Sequence, residues 1–120
     1  MDTEQFLQSV ELLAGLDRDS ARRAAQATLA TLAERVGRPV ATELADGLPG
    51  KLGAALTGGP DAAEPFDAEE FARRTAARED VDPAQGRDHA RAVLATLRED
   101  VLGVQELRDR LPADYRPLFG

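Results

Sequence analysis

The sequence predicts an all-α helical bundle made of two tandem, similar three-helix halves that share one core. Three observations carry this prediction: apolar residues recur at helical spacing, one stretch returns 65 residues later, and no segment shows the period-two alternation typical of a strand. The 120 residues suit one domain. Each half alone would lie near the lower size limit for independent folding, so we expect a common interior.

The internal repeat sets the predicted boundaries. Residues 25–34 align with residues 90–99, and seven of the ten positions are identical. The offset falls to 63 after Gly37, where the first copy has two extra residues that a loop can absorb. We therefore predict one helical domain over residues 1–120, with a first repeat over 2–57, a linker over 58–66 and a second repeat over 67–120.

Four aspartates are expected to begin helices, because an Asp side chain can accept a hydrogen bond from a backbone amide of the first turn. They are Asp2, Asp17, Asp67 and Asp82. Gln5 and Glu70 complete capping-box patterns after Asp2 and Asp67, and Pro83 suits the first helical position.

The second helix of each half has the clearest period. Its apolar positions are Ala21, Ala25, Leu29, Leu32 and Val36 in the first copy, and Ala90, Leu94, Leu97 and Val101 in the second. We expect the Leu29/Leu32 and Leu94/Leu97 ridges to face inward. The third helices are predicted from Val40, Leu44 and Leu48, and from Val104, Leu107 and Leu111. Pro49 and Pro112 end them, and a short turn then folds back over 50–56 and 113–119.

The first helices of the two halves look less alike. In the first copy, Phe6, Val10 and Leu13 are predicted to share one apolar face. In the second copy, Phe71 is followed by Thr75 and Arg78 at the equivalent positions. We therefore expect the second version to be short, or to be held mainly by Phe71.

Charge and composition exclude several classes of function. The formal charge of -7 disfavours nucleic acid and anionic membrane as partners, because binding either requires net neutralisation of phosphates. The absence of Cys excludes thiolate nucleophiles and Cys-ligated metals. The acidic first residues lack a signal-peptide pattern, and no apolar run approaches the roughly 18 residues of a membrane span. We expect a cytoplasmic protein.

Three segments of the chain together resemble a known family. They are the Asp67 to Phe71 helix start, residues 89–99, and Leu111-Pro112 followed by the terminal Leu118-Phe119. The combination resembles the bacterial family called domain of unknown function 2267, over nearly the whole chain. The first half departs from that ending, because Ala55-Leu56-Thr57-Gly58 replaces the Leu-Phe pair. The resemblance implies a compact helical domain of bacteria and carries no activity or site residues to transfer.

His89 is the only histidine and the first candidate for chemistry. A general base needs a positioned carboxylate, and the adjacent Asp88 does not face it on a helix. The repeat places Ala24 at the equivalent position. We therefore interpret His89 as a surface or partly buried structural residue.

Both copies keep two carboxylates, the pairs Glu43/Glu106 and Asp46/Asp109. A paired-carboxylate site would form if the copies met across a pseudo-twofold axis. The favoured interpretation is structural, since each carboxylate can pair with a nearby Arg or cap a helix.

Other patterns give weaker hypotheses. The acidic clusters 61–70 and 79–82 lack the spacing of a calcium loop and are interpreted as solvated faces and helix caps. Gly58-Gly59-Pro60 and Gly50-Lys51 lack the spacing and the strand of a phosphate loop. The basic pairs Arg22-Arg23 and Arg73-Arg74 lie among acids, unlike the stripe of a DNA-reading helix.

Taken together, these patterns predict a non-catalytic interaction or scaffold module, with no catalytic, cofactor or metal residues and no cofactor. Its partner would be another protein or a second copy of the chain, and its binding surface would be a groove between the two halves, where amphipathic helices can dock. The alternative is a small-molecule binding or sensing domain, because Ala-rich helices in a bundle can leave a pocket between them.

Overall fold

The structure, a computed structural model, describes residues 2–100, Leu107 and residues 111–119. The elements are α1 (Thr3–Ala14), α2 (Arg18–Val36), α3 (Arg38–Asp46), α4 (Gly50–Thr57), α5 (Ala68–Glu79), α6 (Pro83–Asp100) and a terminal 3₁₀ helix (Ala113–Phe119). No strand occurs in this part of the chain, and the predicted all-α class is confirmed. The two-half repeat stays a prediction.

All four predicted aspartate caps form. Asp2, Asp17, Asp67 and Asp82 each accept a hydrogen bond of 2.8 Å at a side-chain oxygen from the amide three residues later. The capping box at Asp2 is complete, because its own amide donates to Gln5 Oε1 at 3.1 Å. Helix α6 begins at Pro83, as predicted. These caps fix the starts of the four longest helices.

Among the described residues, one apolar cluster fills the interior and draws on both predicted halves. Leu29, Leu32, Leu94 and Leu97 are at most 1% exposed, so both ridges face inward as expected. The largest buried side chains around them are Phe6, Phe71, Tyr115 and Phe119. Leu107 and Leu111 also lie in the cluster, whereas the predicted positions Val101 and Val104 fall outside the described residues.

The predicted apolar face of α1 is wrong at Leu13, which is 61% exposed. The helix instead buries Phe6, Leu7 and Val10, with Ala14 packed against the core. At about 100° per residue, the centre of this arc lies near Val10, and Leu13 projects roughly 70° to one side. Leu12 lies on the opposite side and is 79% exposed.

The expectation of a short helix after Asp67 is also wrong, since α5 has 12 residues, as many as α1. Small residues, in addition to Phe71, hold this helix in place. Ala76 packs so closely against α6 that a Cβ added at Gly86 would lie 2.5 Å from the Ala76 Cβ. Helix α5 lacks the large apolar side chains of α1, and this close approach compensates for them, because van der Waals contact between backbones also contributes attraction.

The connections are tighter than the sequence suggested. Only Gly37 separates α2 from α3, so the expected loop near residues 37–39 is absent, and the left-handed φ of 85° at Gly37 makes the turn. The fold-back after Pro49 is a two-turn helix, α4, that includes Thr57. The linker packs on α2 and α3, because the Glu64 amide donates to the Glu34 carbonyl at 2.9 Å and the Arg38 amide to the Asp61 carbonyl at 3.1 Å.

Candidate functional site

The most exposed apolar surface lies at the carboxyl end of α1. Leu12 and Leu13 are the only large hydrophobic side chains that are mostly exposed in the described part of the chain, at 79% and 61%. Single exposed leucines are common on soluble proteins, but adjacent ones beside a depression are a feature of interaction surfaces.

Next to Leu13 lies a depression of about 360 Å³ between α1 and α6, which we call the α1–α6 groove. Its lining residues are Leu13, Ala14, Asp88, Arg91, Ala92 and Ala95. The groove exists because α6 presents Ala92 and Ala95 towards α1, and their short side chains leave the space between the helices unfilled. The arrangement therefore places the exposed Leu13 at the edge of a shallow hollow.

Two opposite charges lie on the wall of the groove. Asp88 and Arg91 are both exposed and lie one helical turn apart on α6. Neither makes an ion pair or side-chain hydrogen bond with any described residue. The charges are therefore available to a molecule that docks in the groove.

A second depression of about 500 Å³ lies on the other side of Arg91. Its lining residues are Asp67, Ala68, Glu69, Arg87, Arg91, Asp114, Pro117 and Leu118. Two of its carboxylates are engaged by backbone amides: Asp67 accepts from Glu70, and Asp114 accepts from Ala68 at 2.9 Å. Arg87 and Arg91 are the cationic side chains of this depression. Neither makes an ion pair or a side-chain hydrogen bond with a described residue.

His89 lies in the interior and contacts a carboxylate that the sequence did not suggest. Its Nδ1 is 2.7 Å from Oε1 of Glu79, and the two residues are 9% and 7% exposed. Asp88, the sequence neighbour, lies on the exposed side of α6. The interpretation of Glu79 as part of a solvated acidic face is wrong, because the turn between α5 and α6 folds it inward.

Burial controls the electrostatics of this pair. Loss of solvation raises the pKa of Glu79, while the contact with His89 and the more distant charge of Arg23 act in the opposite direction. Oε2 of Glu79 is buried without a hydrogen-bond partner among the described residues, as is Oγ1 of Thr75 four residues earlier. The pair joins α5 to α6, and its low exposure leaves little room for a substrate.

On the other side of α5, the pKa of Glu34 shifts in the opposite direction to that of Glu79. Its Oε1 lies 2.9 Å from Arg78 Nη1 and 3.5 Å from Arg74 Nη1. The Arg78 guanidinium lowers the pKa of Glu34, and the smaller effect of burial opposes it. Arg78 also donates to Thr31 Oγ1 at 2.8 Å, so this network joins α2 to α5.

The end of the linker is held by two donors to one carbonyl. The Tyr115 hydroxyl donates to the Phe66 carbonyl at 2.5 Å, and Arg35 Nε donates to the same oxygen at 3.0 Å. Burial raises the pKa of Tyr115 to about 12. The guanidinium of Arg74 stacks over the Phe66 ring at 4.0 Å from its centroid.

One family model matches residues 3–118 of the chain, and its description is "Uncharacterized conserved protein (DUF2267)". The chain belongs to this family. The match confirms the resemblance that the helix starts and the terminal Leu-Pro and Leu-Phe residues indicated. No curated protein matches this DUF2267 chain. The family description names no activity, so the function has to be argued from the surface of the chain itself.

Only the first copy of the repeated carboxylates of this DUF2267 chain lies among the described residues. Glu43 and Asp46 are exposed on α3, whereas Glu106 and Asp109 fall outside the described residues. The structural interpretation favoured for these carboxylates, and the paired site that is its alternative, both stay untested. Within residues 2–100, Leu107 and 111–119, no three His, Cys, Asp or Glu side chains converge as a metal site would require.

The remaining candidates lie in ordinary helical surroundings. Gly50 begins α4 directly after Pro49, so Lys51 is an exposed helical residue and not part of a strand-to-helix loop. The Arg22 side chain pairs with Asp19 at 3.2 Å, and those of Arg73 and Arg74 both pair with Glu70. No helix in the described part of the chain is long and apolar enough to cross a membrane.

Sequence reasoning placed the binding surface in a groove between the two halves, and α1 and α6 belong to different predicted halves. It did not identify the residues that line this groove, although one signal was present. Leu12 and Leu13 follow each other in α1. Adjacent helical residues point about 100° apart, so a helix with a single buried stripe has difficulty burying both. The partner of His89 had no comparable signal, because Glu79 stands among other acids in the sequence.

Proposed function

We propose that this DUF2267 chain is a non-catalytic protein-interaction module built from two similar helical halves, with the α1–α6 groove as its docking surface. The carrying observation is that Leu13, one of two adjacent exposed leucines, lines this groove. The occupant is an α-helix that presents apolar side chains between charges complementary to Asp88 and Arg91. Helices commonly dock in grooves of this kind through an apolar stripe.

The energetics favour such an occupant. Fully burying a leucine contributes roughly 1.5–3 kcal/mol, so the Leu12–Leu13 pair offers a substantial share of a moderate binding free energy. Charges at the rim of an apolar patch add orientation and partner selection more than affinity. Asp88 and Arg91 stand where they would provide this selection.

The internal contacts of His89 support the non-catalytic part of the proposal. A general base has to reach the proton that it removes. The only histidine of the chain is instead 9% exposed and lies against Glu79. Its surroundings are those of a helix-to-helix contact.

Corresponding helix lengths support the two-half arrangement. The helices α1 and α5 have 12 residues each, and α2 and α6 have 19 and 18. All four begin after an aspartate whose side chain accepts from the first turn. Four matched starts in the same order are the result expected of a duplicated unit.

A second candidate function is the binding of a small organic anion in the 500 Å³ depression. The observation in its favour is that Arg87 and Arg91, about one turn apart on α6, line this depression together with the apolar Pro117 and Leu118. Guanidinium groups bind carboxylates and phosphates through paired hydrogen bonds. A thermal-shift screen with simple carboxylates and phosphate esters would support this candidate if stabilisation disappeared in Arg87→Gln, and no stabilisation would count against it.

The docking surface is tested by photo-crosslinking in the source cells. A photoreactive amino acid replaces Leu13 in one version of the full chain and Lys51 in a control version, since Lys51 is exposed on α4, away from the groove. We expect a discrete adduct from position 13 and none from position 51. If position 13 gave no adduct, or if both positions gave the same set, the groove would not be a docking surface.

A further inference from the structure

We infer that the occupant of the α1–α6 groove is the same face of a second copy of this chain, related by a twofold axis. This inference rests on the proposed function and names its partner. A twofold interface uses one patch on both partners, so that patch has to carry both a projecting part and a hollow. Here Leu13, which is 61% exposed, projects at the edge of the groove of about 360 Å³.

The charges on the groove wall complement themselves in such a dimer. Asp88 and Arg91 lie one turn apart, and neither has an ion-pair partner among the described residues. A twofold axis that passes between them places Asp88 of each copy opposite Arg91 of the other. Two equivalent ion pairs then form from charges that the described part of the single chain leaves unpaired.

The overall charge restricts where two copies can meet. A chain with a formal charge of -7 repels its own copies over most of its surface. The groove wall carries one negative and one positive side chain, so its local charge is balanced. Its approach to an identical face is therefore less unfavourable than contact through the acidic parts of the surface.

The size of a stable interface sets a further condition. A standard interface buries about 800 Å² on each partner, which is roughly an eighth of the 6225 Å² surface of the chain. Two leucines alone are too small for this area. The dimer therefore also brings the exposed sides of α1 and α6 into contact along their length.

The experiment is a charge-exchange series followed by sedimentation of the full chain over a wide concentration range. The variants are Asp88→Arg, Arg91→Asp, the double exchange, and an equal mixture of the two single variants. We expect the wild type to dimerise, each single variant to dimerise at least tenfold more weakly, and both the double exchange and the mixture to regain dimer. The mixture regains it because the Asp88→Arg copy presents two cationic side chains, which then face the two carboxylates of the Arg91→Asp copy.

Controls separate the interface from the fold. Leu12→Ser with Leu13→Ser should be monomeric, and Lys51→Ser should dimerise like the wild type, with the same helical circular dichroism for all variants. A monomeric wild type at about 1 mM would overturn the inference. A dimer that ignores the leucine and charge variants would overturn it as well, because it would form through another face.

The two proposals fail in different ways. If sedimentation shows a monomer and position 13 crosslinks to a different protein, the groove is a docking surface and the second-copy inference is wrong. If position 13 gives no adduct and the chain is monomeric, both are wrong. An adduct of twice the 12.9 kDa chain mass, made only of this chain, supports both.

Discussion

Helix α5 is joined to its two neighbours by contacts of the same chemical kind in different surroundings. Towards α6, Glu79 meets His89 at 2.7 Å, with both residues less than 10% exposed. Towards α2, Arg78 meets Glu34 at 2.9 Å, and their side chains are 36% and 22% exposed. The pKa of Glu79, the buried carboxyl, is raised. The pKa of Glu34, which is partly exposed and which we call the rim carboxyl, is lowered.

The comparison shows which physical effect dominates at each depth. Water still solvates the rim pair, so little solvation is lost and the nearby guanidinium determines the direction of the pKa shift. In the interior, loss of solvation outweighs the attraction of a single partner. The two contacts have similar lengths, but Glu79 contributes to stability at low pH and Glu34 at higher pH, and the magnitudes of the two contributions differ.

The largest expected effect is at His89. His89→Ala leaves Glu79 buried without this partner, and we expect the free energy of unfolding at pH 7 to fall by about 3 kcal/mol. Urea denaturation followed by circular dichroism measures this loss.

The matched control is His89→Asn, whose side-chain amide nitrogen takes a position close to Nδ1 and can donate to Glu79. We expect it to lose about 1 kcal/mol, in keeping with a retained hydrogen bond. Equal losses in the Ala and Asn variants would show that shape, and not the contact with Glu79, makes His89 important.

The sequence predicted the elements whose signals are local. The aspartate caps and the leucine ridges of α2 and α6 depend on residues within one or two turns, and they formed as expected. The Glu79–His89 contact was missed because it depends on the turn between two helices, where Asp80 adopts a left-handed φ of 60°. A groove between the halves was expected, but its lining residues were missed because they depend on where α1 lies against α6, which the period of α1 alone does not determine.

The second expected effect tests the close approach of α5 and α6. A Cβ at Gly86 would lie 2.5 Å from the Ala76 Cβ and 2.8 Å from its Cα, and backbone atoms cannot move aside locally. We expect Gly86→Ala to lower the free energy of unfolding by about 2 kcal/mol, since overpacking outweighs the gain in helix propensity. Thermal and urea unfolding measure the change.

Gly50→Ala is the control for that substitution, because no atom lies within 4 Å of a Cβ added there. We expect it to change stability by no more than about 0.5 kcal/mol. If Gly86→Ala were as stable as Gly50→Ala, α5 and α6 would be packed less closely than the structure shows.

The third expected effect is the pH dependence of the buried carboxyl. Because the folded-state pKa of Glu79 is raised, this group contributes stability below pH 4.5, and that contribution is lost as the pH rises through the raised value. Glu79→Gln removes the titration. The free energy of unfolding of the variant relative to the wild type should therefore increase with pH across this window, by at most about 1.4 kcal/mol per pH unit. A constant difference from pH 4 to pH 8 would contradict the raised pKa.

The smallest expected effect is at the rim. Glu34 has a lowered folded-state pKa, so its contribution is present above pH 4.5 and is lost as the pH falls through the lowered value. Arg78→Met should lower the free energy of unfolding by about 0.5 kcal/mol at pH 7, as for other partly exposed pairs. This loss should shrink as the pH falls through the lowered pKa of Glu34 and its carboxylate becomes protonated. Arg22→Met, which breaks the more exposed pair with Asp19, should cost less at every pH. A loss at Arg78 that grew on acidification would mean that the rim carboxyl behaves like the buried one, and the contrast between the two sides of α5 would then not be one of solvation.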